Sequence, residues 1–341
     1  MADDLLVVDH LSTVFRRMDE TVYAVNDVSF SVAAGETLGI VGESGSGKSV
    51  SVMSLLGLLK GTGKVTSGSA TFRGTNLLKL RRRQLEDIRG RDIGVVFQDP
   101  MTSLNPVMRV GDQIMEGMLA HHYASRRAAF DRTLELLTEV GIPEPKLRFR
   151  NYPHEFSGGM RQRVMIAMAV ACQPQLLIAD EPTTALDVTV QMQTLALLQE
   201  LKERLHMSMI LITHDFGVAT NVCDRILVMY AGTIMESAPL NDFLERPAHP
   251  YTLGLKASVI EVGSQNRDLR PIPGTSLTPT QPLTSCPFAD RCAWVSSRCE
   301  EELPVLKPVG PGHLVACHRA QEVMGDGGPR IVAHGQRVQA L

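Results

Sequence analysis

The sequence predicts an α/β fold built on a mostly parallel sheet, with an inserted helical subdomain and a small cysteine-rich C-terminal extension. Three observations carry this. Short apolar runs alternate with helix-patterned stretches through most of the chain. A glycine-rich turn joins one of those runs directly to a helix. After about Pro247 the periodicity gives way to a polar, proline-punctuated stretch and then to four closely spaced cysteines.

In chain order, Leu5–Val8 and Val28–Val32 have the composition of strands, and Thr37–Val41 reads as a buried one. The glycine-rich turn follows, then a helix predicted from Lys48 to about Leu59. Ile93–Phe97, Leu176–Ala179 and Met209–Thr213 are further short apolar strands. From Met101 to Asn151 the pattern is predominantly helical, broken at Gly141-Ile142-Pro143, and the helical subdomain is placed at about 101–170. The main domain is assigned to residues 1–247, the extension to 248–320 and a flexible tail to 321–341. Pro271, Pro273, Pro279 and Pro282 mark a linker, and Gly325-Asp326-Gly327-Gly328-Pro329 a loose end.

Composition excludes several classes. The 341 residues are 44% hydrophobic and 21% charged, as in ordinary globular proteins. A net charge of -3 offers no basic excess for nucleic acid, and Arg81-Arg82-Arg83 and Arg126-Arg127 lack interleaved aromatics. They read as solvated helix surface. The acidic start Met1-Ala2-Asp3-Asp4 is not a signal peptide. The longest apolar stretch, Val164–Ala179, is interrupted by Gln173-Pro174-Gln175 and falls short of the about 20 residues a membrane span needs. A cytosolic protein that docks on a membrane protein is expected. Cys172 and Cys223 lie in apolar surroundings and read as packing residues. In a reducing compartment the other four, Cys286, Cys292, Cys299 and Cys317, argue for a metal centre over disulfides.

The glycine-rich turn carries the strongest chemical signal. Gly42-Glu43-Ser44-Gly45-Ser46-Gly47-Lys48-Ser49 fits G-x-x-x-x-G-K-[ST] between a strand and a helix. Glycines let consecutive N–H groups turn inward on phosphate oxygens, and the helix adds its positive end. Lys48 then reaches the terminal phosphates, and the Ser49 hydroxyl ligates Mg²⁺. Leu176–Glu181 is an apolar strand ending in two carboxylates, suited to hold Mg²⁺ through Asp180 and to polarise a water through Glu181. Ser157-Gly158-Gly159 precedes a long helical pattern and reads either as a phosphate-binding turn or as a simple N-cap. Gln98 and His214 each close a strand, where a parallel sheet lines its ligand crevice; alone, either reads as structural.

Together these residues resemble the nucleotide-binding domain of ABC transporters over about residues 5–250, with all the family's motifs in order. Gly42–Ser49 is similar to its Walker A motif, Gln98 to its Q-loop, and Phe156-Ser157-Gly158-Gly159-Met160-Arg161-Gln162 to its signature. Leu176–Glu181 is similar to Walker B, Ala185-Leu186-Asp187 to the D-loop and His214 to the switch histidine. The signature departs from Leu-Ser-Gly-Gly-Gln at Phe156 and Met160. The resemblance implies that Gly42, Ser44, Gly45, Ser46, Gly47, Lys48, Ser49, Gln98, Asp180 and Asp187 attend ATP. It adds Tyr23 as an adenine-stacking aromatic and Gln98 beside Ser49 and Asp180 on Mg²⁺. Glu181, His214 and Gln98 are its implied catalytic residues. It further implies a dimer in which Ser157, Gly158 and Gly159 complete the partner's ATP site, closing on ATP and opening on hydrolysis.

Phe97-Gln98-Asp99-Pro100-Met101-Thr102-Ser103-Leu104-Asn105-Pro106, His249-Pro250-Tyr251-Thr252 and the extension resemble the dipeptide and oligopeptide importer branch. That branch implies a second, homologous ATPase subunit in a heterodimer, two transmembrane permease subunits and an extracellular or periplasmic peptide-binding protein. It places the chain peripherally on the cytoplasmic face of the inner or plasma membrane. Nickel and glutathione importers are close relatives. For the cysteines, spaced by five, six and seventeen residues, the branch implies a [4Fe-4S] cluster; Zn²⁺ and no metal are the alternatives. The centre's expected role is to pin an extension too small to hold its own core, with His313 and His318 left on the surface. DNA-repair relatives insert a coiled coil between the phosphate motifs, but only about a hundred residues separate Lys48 from Ser157. Ribosomal relatives carry two cassettes and this chain one. The presence of both Glu181 and His214 argues against an ATP sensor without turnover.

Overall fold

The structure, a computed structural model, describes residues 4–16, 19–184, 187–258 and 272–325. The chain opens on two long strands, β1 (Asp4–Arg16) and β2 (Thr21–Ala33), followed by β3 (Thr37–Val41), α1 (Lys48–Leu55), β4 (Gly63–Phe72) and β5 (Thr75–Asn76). Helix α2 (Arg82–Ile88) leads into β6 (Ile93–Val96). Next come α3 (Pro100–Ser103), α4 (Val110–Ala120), α5 (Arg126–Glu139), α6 (Pro145–Arg148) and α7 (Gly158–Val170). Strand and helix then alternate through β7 (Leu176–Asp180), α8 (Val188–Leu205), β8 (Ser208–Thr213), α9 (Phe216–Val222), β9 (Arg225–Tyr230) and β10 (Thr233–Pro239). The last elements are α10 (Leu240–Glu245), α11 (Pro250–Ala257), α12 (Ser297–Glu301), β11 (Lys307–Gly310), β12 (His313–Val315) and α13 (Ala320–Gly325). Part of the expected linker (259–271), the tail beyond Gly325 and two D-loop residues, Ala185 and Leu186, lie outside the described residues.

The chain divides into two compact units. One comprises residues 4–6, Val32–Thr37 and Phe72–Ile212. In it β6, β7 and β8 run parallel, with Ile93 opposite Leu176 and Asp180 opposite Ile212. Every residue of β7 and β8 is buried, which is why they read as unbroken apolar runs. Gly94 lets α7 lie directly on β6, since a Cβ there would meet the Ala169 carbonyl oxygen at 2.2 Å. The helices between β6 and β7 hold together by similar fits. Gly111 of α4 accommodates the Phe149 ring, and Ser125 caps α5 by accepting from the Ala128 N–H. α5 stops before Gly141, at φ 71°, inside the break read at Gly141-Ile142-Pro143.

The other unit comprises Val7–Ser31, Leu38–Thr71 and the described residues from Thr213 onward. β2, β1 and β4 are neighbours in one sheet; β11, β12, β10, β9 and β3 follow one another in a second. β9 is parallel to β3, and β10 is antiparallel to β9. Cys223 is buried, and its Sγ packs against Gly39 of β3.

The extension is held by means other than a metal. β12 pairs with β10, placing Glu236 opposite Val315, so the extension continues an existing sheet. Ala248, Val315 and Ala320 form a small core with Val309, Cys317 and Met324 against it. Beneath them lies the fully buried Glu236 carboxylate, which accepts from the Ala248 N–H (2.7 Å) and the His249 N–H (3.0 Å). Its third partner is His313 Nε2 at 2.8 Å, so His313 is a buried hydrogen-bond partner and not the surface residue expected.

The iron–sulfur cluster expected on Cys286, Cys292, Cys299 and Cys317, and its zinc alternative, are overturned. Among the described residues no group of three or more His, Cys, Asp or Glu is placed to hold a metal ion, and the cysteines are free thiols. Burial pushes Cys286 and Cys317 up to about 11 and Cys292 up to about 12. In this arrangement these three are thiols at neutral pH. Their sulfurs serve local backbone: the Trp294 N–H donates to Cys292 Sγ (3.3 Å) and the Arg319 N–H to Cys317 Sγ (3.4 Å).

The motif His249-Pro250-Tyr251 also has a structural role. His249 Nδ1 accepts from the Tyr251 N–H at 3.0 Å and caps α11. Burial pushes this imidazole down to about 3, so it stays neutral in the fold. Unfolded, it takes up a proton near its ordinary value of 6.5. Between those values the unfolded chain binds more protons, so stability falls on acidification from pH 7 to 5, by at most about 1.4 kcal/mol per pH unit from this residue. His249→Asn keeps a capping acceptor without the titration. Thermal melts at pH 5, 6 and 7 are expected to show a shallower acid loss for the variant; parallel curves contradict the assignment.

Candidate functional site

The segment after β3 builds a cradle for an anion. Gly42 (φ 153°), Gly45 (φ 80°) and Gly47 (φ 98°) all take backbone that side chains resist. A Cβ at Gly42 would lie 2.2 Å from the Met229 carbonyl oxygen, and one at Gly47 2.4 Å from that of Ala24. Ser44 and Gly45 form the exposed crest of the loop. α1 starts from Gly47 without a side-chain cap or an acidic residue in its first turn, leaving its amino end suited to an anion.

Lys48, 4% exposed, turns back into the loop and donates from Nζ to the carbonyls of Gly42 (2.8 Å) and Glu43 (2.9 Å). The Ser46 hydroxyl is buried in the same loop without a hydrogen-bond partner. An unmet buried hydroxyl costs about 1–3 kcal/mol, which a phosphate oxygen would offset. Ser49, half-buried, is the second residue of α1. On the same unit, Tyr23 is half-buried and its N–H donates to the Pro279 carbonyl at 2.8 Å. His214 follows β8 directly and is exposed, next to Asp215, which caps α9.

The other unit gathers the carboxylates. Asp180 ends β7 and is buried. Glu181 bends into the left-handed region at φ 47°, a conformation that costs of order 1 kcal/mol. Its N–H is tied to the Ile212 carbonyl (2.9 Å). The bend is matched by its side chain: one carboxylate oxygen accepts from Gln98 Nε2 (2.8 Å) and from Thr184 Oγ1 (2.9 Å). Gln98 and Glu181, 83 residues apart, are thus brought together.

Ser157 caps α7, accepting from the Met160 N–H, so the N-cap reading holds. Ser157 and Gly158 are exposed, and no atom lies within 4 Å of a Cβ built on Gly158. Asp187 is exposed and caps α8, accepting from the Val190 N–H at 3.0 Å.

Two features escaped the sequence reading. Thr184 gives no signal beyond its place three residues after Glu181 in a turn. Glu43, an unspecified position of the loop motif, is paired with Arg291, whose Nη1 lies 2.8 Å from its carboxylate.

Comparison with known proteins identifies the chain's relatives. Residues 25–184 match the family described as ABC transporter, and residues 235–299 the one described as Oligopeptide/dipeptide transporter, C-terminal region. The chain is 51% identical to the "Probable peptide ABC transporter ATP-binding protein y4tR" of Sinorhizobium fredii, over 95% of this chain and 97% of that protein. It is 49% identical to the "Oligopeptide transport ATP-binding protein OppD" of Salmonella typhimurium, over 94% of this chain and 95% of that one. To the "Dipeptide transport ATP-binding protein DppD" of Bacillus subtilis it is 46% identical, over 92% and 94%. Its fold is similar to the dimeric, post-hydrolysis ATP-binding cassette MJ0796 bound to ADP and Pi, with a TM-score of 0.62 and 28% identity, covering 69% of this chain and 98% of the other.

Proposed function

This chain belongs to the ATP-binding subunits of ABC transporters, in the oligopeptide/dipeptide branch, and on that premise we propose how its residues power peptide import. It is an ATPase of a dipeptide/oligopeptide importer. The loop Gly42–Ser49 is read as serving the phosphates of ATP, and the carboxylates at the end of β7 its hydrolysis. The observation that carries this reading is the buried Lys48, whose ammonium donates to the Gly42 and Glu43 carbonyls inside the loop, oxygens that phosphate oxygens can replace.

Gly42, Ser44, Gly45, Ser46 and Gly47 wrap the phosphates, and Lys48 binds the terminal ones. The hydroxyl of Ser49, the carboxylate of Asp180 and the amide oxygen of Gln98 are hard oxygen donors of the kind Mg²⁺ takes. Such donors would hold Mg²⁺ together with phosphate and water, without a cage of three acidic groups. When bound, it neutralises charge on the phosphates. Glu181 accepts the proton of the attacking water, and the hydrogen bonds from Gln98 and Thr184 aim its carboxylate. His214 attends the γ-phosphate and Tyr23 stacks on adenine. The open start of α7 supports a role for Ser157, Gly158 and Gly159, with Asp187, in closing the ATP site of a second, homologous subunit.

The machine is completed by that second ATPase subunit in a heterodimer, two transmembrane permeases and an extracellular or periplasmic peptide-binding protein. No helix among the described residues is long and apolar enough to cross a membrane; attachment is peripheral, at the cytoplasmic face, through the permeases. Residues 1–247 form the ATP-binding domain, with a helical subdomain at about 101–170; the extension begins at 248, and α13 carries it past 320 to Gly325, into the stretch expected as tail. The test is purification with the membrane partners and measurement of ATP hydrolysis across candidate peptides. Hydrolysis is expected to rise with di- or oligopeptides loaded on the binding protein; a rate indifferent to every peptide contradicts the reading.

A further inference from the structure

Resting on the reading of Gly42–Ser49 as the phosphate loop, we propose that Arg291 of the C-terminal extension is a positioning residue for ATP, holding the loop in its binding shape through Glu43. The loop's second residue is gripped at each polar group. Arg291 forks the carboxylate, donating from Nη1 to Oε2 (2.8 Å) and from Nη2 to Oε1 (2.9 Å). The Glu43 N–H donates to the Tyr251 hydroxyl (2.9 Å), and its carbonyl accepts from Lys48 Nζ (2.9 Å). Any tilt of this peptide therefore moves the lysine that meets the phosphates.

Arg291 is itself rigidly seated. Its side chain is 7% exposed, and beyond Glu43 it donates to the carbonyls of Pro273 (2.7 Å) and Ile272 (3.3 Å) and to the Tyr230 hydroxyl (3.3 Å). The five N–H donors of a guanidinium thus meet five acceptors. The cation sits 5.6 Å from the Tyr230 ring centre and 5.8 Å from that of Phe288. Tyr230, Tyr251 and Phe288 pack mutually at 4.9–5.4 Å, so both groups that hold Glu43 stand on one aromatic block. The extension also reaches the adenine side, where the Pro279 carbonyl accepts from the Tyr23 N–H. Loop order fixed in advance is order that ATP does not have to impose on binding.

A residue that merely fastened the extension would change stability and leave ATP affinity alone. The experiment therefore titrates the full-length chain with a fluorescent ATP analogue and Mg²⁺, for wild type, Arg291→Met, Arg291→Lys, Glu43→Gln and the double variant Arg291→Met/Glu43→Gln. Arg291→Met and Glu43→Gln are each expected to weaken binding by about tenfold. The double variant is expected to match the weaker single one to within about twofold, because both act through one bridge. Arg291→Lys recovers part of the loss, and the rate at saturating ATP falls less than the apparent affinity. Unchanged affinity in Arg291→Met overturns the proposal, as do losses that multiply in the double variant. If Arg291→Met fails to fold, Glu43→Gln, altered only at a partly exposed carboxylate, decides alone by the same criterion. Lys48→Ala separates the premise from the inference: normal ATP binding in that variant defeats the loop reading itself, whatever the Arg291 variants do.

Discussion

Glu181→Gln is expected to lower ATP turnover by about a thousandfold while ATP still binds. The amide keeps the shape of the side chain, and its oxygen still accepts from Gln98 or Thr184, so the turn at φ 47° retains its support. What is lost is the ability to take a proton from the attacking water. Phosphate release at saturating ATP measures the first part and an equilibrium titration the second. In the proposed dimer, where hydrolysis drives opening, the variant is expected to remain closed on ATP. Turnover near the wild-type rate removes Glu181 from its role as base.

Lys48→Ala is expected to weaken ATP binding by about a hundredfold, the scale of losing one preorganised charge from a developing phosphate site. Two effects combine. The ammonium that meets the terminal phosphates is gone, and the carbonyls of Gly42 and Glu43 lose the donor that folds the loop inward. The second effect costs about 1–3 kcal/mol of stability if those oxygens stay buried, and less if water reaches them. A thermal melt without nucleotide isolates it, and a titration with ATP reads the sum. Affinity unchanged from wild type contradicts the loop's assignment.

Legibility followed burial. β3, β7 and β8 lie wholly inside the protein and appear in the sequence as continuous apolar runs with nearly the right ends. β1 and β2 were legible only as fragments, Leu5–Val8 and Val28–Val32. Each runs 13 residues, but polar positions such as His10 and Asp27, both at positive φ and paired with each other at 2.7 Å, break the alternation. β4 is buried only at Ala70 and Phe72 and carries Ser67, Gly68 and Ser69, so it has little strand signature. The helix after the loop ends at Leu55, short of the predicted Leu59, with Gly57 close behind at φ 59°.

For the site, residues whose spacing is imposed by chemistry were legible one by one: Lys48 in its motif, Asp180 and Glu181 at a strand end, and Gln98 at another. The partners that hold them were not, because they are distant in the chain. Arg291 is 248 residues from Glu43, and His313 is 77 from Glu236. No local pattern announces such pairs. The cysteines failed in the opposite way. Their spacing invited a metal, but spacing does not report how the side chains are placed, and among the described residues no group is placed to hold one; nor does it report the β10–β12 pairing that ties the extension to the sheet.

The most direct measurement is a structure of the full chain carrying Glu181→Gln with ATP and Mg²⁺. The terminal phosphate is expected within about 3 Å of Lys48 Nζ, with the ammonium withdrawn from the Gly42 and Glu43 carbonyls and the Ser46 hydroxyl newly paired. ATP bound elsewhere, with Lys48 still turned onto those two carbonyls, contradicts the account.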